Sequence, residues 1–430
     1  MRSAFPSLVC LCLAASPALG AVDPSGAAGV FQEARIICQR DAGKLWGHTL
    51  CGPILLVDPE DRSIAASQAG GGVLRGNGGI FTGLLPASEI LANTSVQWSG
   101  TLWSEMLWPL PDDAAKRHVM IAHELFHRIQ PELKMVRRDG DNRHLNTLEG
   151  RYLLQLEWRA LAKALNAPTG AARKTAIGDA VLFRQERYRL FEQAASEERA
   201  LELNEGVAEY TGVKLGLTTR KQRVAFAIYD LGAFVAAPTF VRSFAYATGP
   251  AYGLLLDQAD PAWREKLGSD RRLDELLSSA LKLPAPTFAT LHAREAIYDD
   301  DGALRTGELK RDTETRARLA ALKSKFIDGA VLTLPLEHSS YQFNPQTLVP
   351  LGDAGTVYPT LRLSAEWGVL EVQDGALLDQ AKSLASVSAV GMDLASGTGR
   401  GWKLALKSGW SIQPGMRPGD YVVRPHAPSG

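Results

Sequence analysis

The chain has no surplus charge: 47 lysines and arginines balance 47 aspartates and glutamates among 430 residues. This balance argues against nucleic acid or an anionic membrane surface as the main partner. Long apolar runs are lacking too. Nothing past the first twenty residues approaches the roughly eighteen uninterrupted apolar residues of a spanning helix, so no stable membrane insertion is expected. Cysteine is scarce, at 4 residues, and so is histidine, at 8. No internal repeat and no long low-complexity tract is present. What is there is a chain 45% hydrophobic, long enough for more than one domain and a sizeable core.

Residues 1–20 read as a secretory signal. Arg2 gives the positive start, Leu8 to Ala15 a short apolar run, and Ala18-Leu19-Gly20 a small-residue cleavage pattern before Ala21. The mature chain is therefore expected to be soluble and exported, periplasmic or secreted. Cys10 is a poor lipid-attachment site, because the preceding Val9 is bulky. With Cys10 and Cys12 removed, Cys38 and Cys51 remain, and in an oxidising compartment they are expected to pair. Two buried thiols are the alternative. Without a histidine pair nearby they make a poor zinc site.

The pattern along the chain predicts an α+β protein. Residues 21–110 read mainly as strands and turns, with Pro53 to Val57 a short apolar run. The glycines around Gly70-Gly71-Gly72 and Gly76-Asn77-Gly78-Gly79 lack the Gly-Lys-Ser/Thr ending of a phosphate loop and read as a hairpin or loop. Residues 111–328 read as a mainly helical domain. Asp112 caps a helix running to about Gln130, and further helices cover about Leu148 to Leu165, Val181 to Ala195 and Ser196 to Gly216. Residues 329–430 read as an all-β accessory domain, with alternation at Leu361, Leu363, Ala365 and Trp367 and again at Trp402, Leu404 and Leu406.

One motif carries chemistry, His123-Glu124-Leu125-Phe126-His127. On a helix, positions four apart differ by about 40° and about 6 Å, so the two histidines share a face and can reach one zinc. Glu124 points beside them, where it can take a proton from a zinc-activated water. The motif follows Val119-Met120-Ile121-Ala122, an apolar stretch in which three polar groups are costly without a task. A catalytic zinc needs a third ligand. Glu205, in Asn204-Glu205-Gly206-Val207-Ala208-Glu209-Tyr210, is the best candidate. Glu209 lies four residues on, so one carboxylate can bind metal while the other holds a histidine ring. Two solvated or ion-paired helix carboxylates are the plainer reading.

With these two segments in hand, residues 95 to 260 resemble the gluzincin metallopeptidases, which include the thermolysin-like enzymes and the aminopeptidase N family. The resemblance implies a single Zn2+ per chain held by His123, His127 and Glu205. It places Glu209 where thermolysin-like enzymes use an acid to support a zinc-bound histidine. Tyr246-Ala247-Thr248-Gly249 is similar to the aminopeptidase segment whose tyrosine stabilises the oxyanion, which implies that role for Tyr246. Tyr252 is its rival, and both can equally be packing tyrosines.

The chain departs from the clan in two respects. Glu205 follows His127 by 78 positions (205 − 127), against roughly twenty in the clan, so an insertion of two helices is expected between the metal-binding helices. The Gly-x-Met-Glu-Asn segment is missing, and Trp103-Ser104-Glu105-Met106 does not replace it. The long spacing leaves Glu149 as a second possible ligand, 22 positions after His127 (149 − 127). Glu157, on the same helix, reads as a structural or ion-paired carboxylate.

The expected activity is zinc-dependent hydrolysis of a peptide or protein substrate. A zinc hydrolase of a non-peptide bond, or a cell-envelope binding protein with a vestigial site, are the alternatives. Oligomeric state is not legible. Dialysis against graded chelator separates the two ligand assignments. Glu205→Ala should lose zinc at chelator concentrations the parent resists, Glu209→Ala should be intermediate, and Glu149→Ala should behave as the parent. Zinc kept by Glu205→Ala and lost by Glu149→Ala would reverse the assignment.

Overall fold

The computed structural model describes residues 22–70, 74–77, 79–135, 140–268, 270–343 and 347–426. The stretch read as a secretory signal, with Cys10 and Cys12, lies outside the described residues, as do Gly71, Gly72 and Gly78 of the glycine cluster. The chain forms two compact units, one up to Thr306 and one from Gly307. Its class is α+β, with a β region near the N-terminus, a helical middle and a β-rich C-terminal part. No helix among the described residues is long and apolar enough to cross a membrane.

The first unit opens with a helix where strands were expected. α1 (Pro24–Asp41) is capped by Asp23, whose side chain accepts from the Ser25 and Gly26 N–H groups, with Pro24 in the first turn. Its buried residues Ala27, Val30, Phe31, Ala34, Ile37 and Cys38 follow the helical period, which outweighs the strand-like composition around it. Cys38 is bonded to Cys51 as a disulfide that fastens α1 to the chain leading into β1.

A six-stranded sheet follows: β1 (Ile54–Val57), β2 (Ser63–Ala66), β3 (Arg75–Asn77), β4 (Ile80–Leu84), β5 (Thr94–Trp98) and β6 (Thr101–Leu107), in the order β3-β4-β2-β1-β6-β5. Only the β1–β6 pair is parallel. Of the glycine cluster, Gly76 lies in β3 and Gly79 just before β4, in the β3–β4 hairpin. Alternation divides the sheet's side chains: Ile54, Leu56 and Met106 join the helical core, while Leu55, Val57 and Trp103 form a second small core on the other face.

The helices are α2 (Ala114–Ile129), α3 (Leu148–Asn166), α4 (Ala171–Leu190), α5 (Ala194–Leu201), α6 (Val207–Gly216), α7 (Arg220–Ala233), α8 (Ser243–Ala259), α9 (Leu273–Leu281) and α10 (Leu291–Tyr298). The α2 cap is Asp113, which accepts from the Lys116 N–H at 2.9 Å, and not Asp112. α4 starts ten residues before Val181, and its buried face includes three arginines, Asp179 and Glu186, which an apolar period cannot reveal. The stretch expected as one helix from Ser196 to Gly216 is broken by a π-helical turn, Glu202–Gly206, between α5 and α6.

Two backbone contacts set the helix packing. A Cβ on Gly212 of α6 would lie 2.6 Å from the Val119 carbonyl oxygen of α2. A Cβ on Gly249 of α8 would lie 2.1 Å from the carbonyl oxygen of Gly206. Glycine at both positions lets α6 rest directly on α2, and α8 on the π turn.

The second unit begins within α11 (Ala303–Lys323). It continues as β7 (Val331–Pro335), β8 (Ser340–Phe343), β9 (Val349–Pro350), β10 (Thr356–Tyr358), β11 (Leu361–Ala365), β12 (Gly368–Val372), β13 (Ala376–Asp379), β14 (Leu384–Ser388), β15 (Thr398–Gly399), β16 (Trp402–Leu406), β17 (Trp410–Pro414) and β18 (Tyr421–Pro425). Two sheets, β17-β18-β7-β14-β13-β10-β9 and β15-β16-β12-β11-β8, enclose a common core around Leu334, Leu363, Trp367 and Leu370.

Glu105 on β6 is fully buried. One of its oxygens accepts from the Ala92 N–H at 3.1 Å, and the other has no partner among the described residues. Burial pushes its carboxyl from 4.5 up to about 7, against the bond from Ala92 and the charge of Arg62. A carboxyl that binds its proton more tightly folded than unfolded contributes fully at low pH, and the contribution is lost as pH rises through 7. Glu105→Gln should therefore stabilise the protein at pH 8 by on the order of 2–3 kcal/mol and change little at pH 5. Thermal melts at the two pH values test this, and an equal shift at both would refute it.

Candidate metal centre

α2 brings His123, Glu124 and His127 to one buried place, at 4, 5 and 2% exposure. The π turn adds Glu205, α6 adds Glu209, and α8 adds Tyr246. Among the described residues, His123, His127 and Glu205 form a group whose ligand atoms all lie within 4.8 Å of one another.

The ring protons can be placed from the partners. His123 Nδ1 lies 2.6 Å from Glu209 Oε2, and a carboxylate only accepts, so this nitrogen carries hydrogen. His127 Nδ1 lies 2.9 Å from Gln130 Oε1. The Gln130 amide orientation is fixed, because its Nε2 donates to the Leu203 and Asn204 carbonyls at 3.0 and 3.1 Å. His127 Nδ1 is therefore a donor too. Each ring then turns an Nε2 lone pair inward. The two Nε2 atoms stand 2.9 Å apart, and Glu205 Oε2 lies 3.5 and 3.6 Å from them.

Two lone pairs and a carboxylate oxygen at this range repel unless a cation sits among them. A proton or a metal ion can fill that place. Burial alone would push the His123 imidazole down, but the bonds to Glu205 and Glu209 and the charge of Glu124 carry it up to about 10. Those histidines in turn hold the Glu205 carboxyl well below the usual range, against its burial. The donor set also fits zinc: ligands about 2.0–2.2 Å from a tetrahedral ion stand about 3.4 Å apart, close to the 3.5 and 3.6 Å from Glu205 to the two rings and longer than the 2.9 Å between the rings.

Glu124 lies beside the cluster, with Oε1 4.0 Å from His123 Nε2. Its Oε2 is buried without a hydrogen-bond partner among the described residues. Burial raises its carboxyl, only partly countered by the two histidines. The Tyr246 ring is parallel to the His123 ring at 5.6 Å, and its hydroxyl donates to Glu205 Oε2 at 2.6 Å. Arg242, one turn earlier on the approach to α8, places Nη2 3.4 Å from Glu205 Oε1. A cleft of about 480 Å³ opens onto these groups, with Lys116, Phe226 and Asp230 in its walls. Burial and then the charge of Glu209 push Asp230 up to about 7.

The rival residues lie elsewhere. Glu149 forms a two-pronged pair with Arg305 at 2.8 and 2.6 Å and is outside the histidine group. The Tyr252 hydroxyl donates to Glu157 Oε1 at 2.8 Å inside a separate buried network. Glu157 itself is ion-paired with Arg184 and Arg187. Sequence reasoning missed Gln130, which it saw only as a helix end. Its spacing of three from His127 puts the two on one helical face, and that was the available signal. Comparison with protein-family models, curated proteins and solved structures finds no match to this chain.

Gln130 fixes both the His127 ring and the π turn. Gln130→Met should keep the fold and lower zinc affinity about 10–100-fold, as loss of a ligand's hydrogen-bond partner does. Competition with a chromophoric chelator measures this, and parent-like affinity would refute the role.

Proposed function

We propose that this chain is a zinc-dependent hydrolase that cleaves amide bonds in peptides or proteins. The observation that carries the reading is the convergence of two inward Nε2 lone pairs and the Glu205 carboxylate beside the unpartnered oxygen of Glu124. His123, His127 and Glu205 would hold one zinc ion. Bound there, zinc acts as a Lewis acid that lowers the pKa of water and polarises a carbonyl.

The remaining steps belong to side chains. Glu124 takes the proton of the attacking water and returns it to the leaving amine. Its burial suits this task, because a raised carboxyl holds a proton between the two transfers. Glu209 and Gln130 keep the histidine rings in one tautomer and orientation. Burial, and then the charge of Glu205, hold Tyr246 in its neutral form far beyond physiological pH. It therefore serves as a hydrogen-bond donor and not as a base, and turning its one O–H from Glu205 Oε2 would offer that bond to the oxyanion developing on the substrate. The resemblance of the two motif segments to gluzincins supports the amide substrate. The Cys38–Cys51 bond fits an exported protein.

Zinc content and hydrolysis of a mixed peptide library, for the parent chain and for Glu124→Gln, test the reading. The expected result is one zinc in both proteins and a loss of about 10²–10⁴-fold in cleavage for the variant. Zinc without peptide cleavage would move the substrate to another bond class. Absence of zinc in the parent would overturn the metal assignment.

A further inference from the structure

The insertion between the two metal-binding helices builds a second polar centre with no part in the chemistry above. Arg184 and Arg187 of α4, Glu157 of α3, Glu198 of α5, Glu202 of the π turn and Asp274 of α9 are all 0 or 1% exposed. Arg184 grips Glu202 with two bonds, Nη1 to Oε2 at 2.9 Å and Nη2 to Oε1 at 2.7 Å. Its Nε binds Glu157 Oε1 at 2.8 Å. Arg187 joins Glu157 to Glu198. From α8, the Thr248 hydroxyl adds a bond to Glu202 Oε1 at 2.7 Å.

Burying so many charges is expensive, and apolar side chains of similar volume commonly stabilise a core as well or better. What the network adds is fixed geometry at one place. Glu202 begins the π turn, and Glu205 lies three residues on. Each side of Glu205 is pinned from a different direction. Glu202 is held by Arg184 and Thr248, the Leu203 and Asn204 carbonyls by Gln130, and Gly206 by the backbone of Gly249. A π turn forgoes regular α-helical hydrogen bonding and needs such outside support.

We propose that the buried Arg184–Glu202 pair, with Thr248, is a positioning device for the third metal ligand, so that the inserted helices set the geometry of Glu205. The inference rests on the metal reading given above. Glu202 and Arg184 touch neither zinc nor substrate. They act through the turn that carries Glu205.

The test compares two changes in the same network. Glu202→Gln removes the charge gripped by Arg184. Tyr252→Phe removes an equally buried hydrogen bond, to Glu157, without touching Glu202. Each full-length protein is melted thermally, titrated with zinc against a chromophoric chelator, and loaded with cobalt(II) for its visible spectrum. Both variants should melt below the parent. Glu202→Gln alone should lose about 10–100-fold in zinc affinity and show an altered cobalt spectrum, while Tyr252→Phe stays within about twofold. If Glu202→Gln does not fold, Thr248→Val decides, with an expected loss of about fivefold for one hydrogen bond. Parent-like affinity and cobalt spectrum in a folded Glu202→Gln, or in Thr248→Val where that variant decides, overturn the positioning role and leave the metal reading intact. A parent chain that binds no zinc overturns both.

Discussion

The site depends on how closely α6 lies against α2. The Gly212 backbone rests on the Val119 carbonyl, at a separation that a side chain on Gly212 would forbid. Val119 is one helical turn before His123, and Gly212 one turn after Glu209, so the contact sets the distance between histidines and carboxylates along both helices. The 2.6 Å bond from His123 to Glu209 follows from it. Gly249 extends the same packing to α8 and brings Tyr246 over His123. The polar cluster is thus imposed by main-chain packing, and the cost of burying it is met by the core around it.

Electrostatically the centre is acidic in excess. Glu124, Glu205, Glu209 and Asp230 surround two imidazoles. Arg242 and Lys116 are the cations near the cleft among the described residues. The bonds to Glu205 and Glu209 raise the His123 imidazole against its burial, while burial first and the neighbouring carboxylates second raise Glu124 and Asp230. A divalent cation would answer the acidic excess in one place.

The parts of this arrangement that were legible in the sequence are those encoded locally. His123, Glu124 and His127 share one helix, and Glu205 and Glu209 stand four apart across the π turn and α6, so spacing alone groups them. The α+β class and the strands around Leu361 and Trp402 follow from alternation. α1 was equally legible, through Asp23-Pro24 and a helical period, yet the surrounding turn residues masked it. The hold of Gln130 on the π turn and the Arg184 grip on Glu202 were not legible in that way. These two depend on contacts between residues 18 to 74 positions apart, and the start of α4 was missed because a buried arginine face carries no apolar period.

The π turn sorts charges. At about 100° per residue, an unbroken helix would place Glu198, Glu202, Glu205 and Glu209 within about 60° of one another, a single acidic stripe. The extra residue of the turn puts the two halves out of phase. Glu198 and Glu202 then face the buried arginines, while Glu205 and Glu209 face the histidines. One stretch of chain therefore serves two opposite environments, a guanidinium-lined interior and an open cleft. The four-residue rhythm that looks uniform in the sequence is divided by a change of helical pitch.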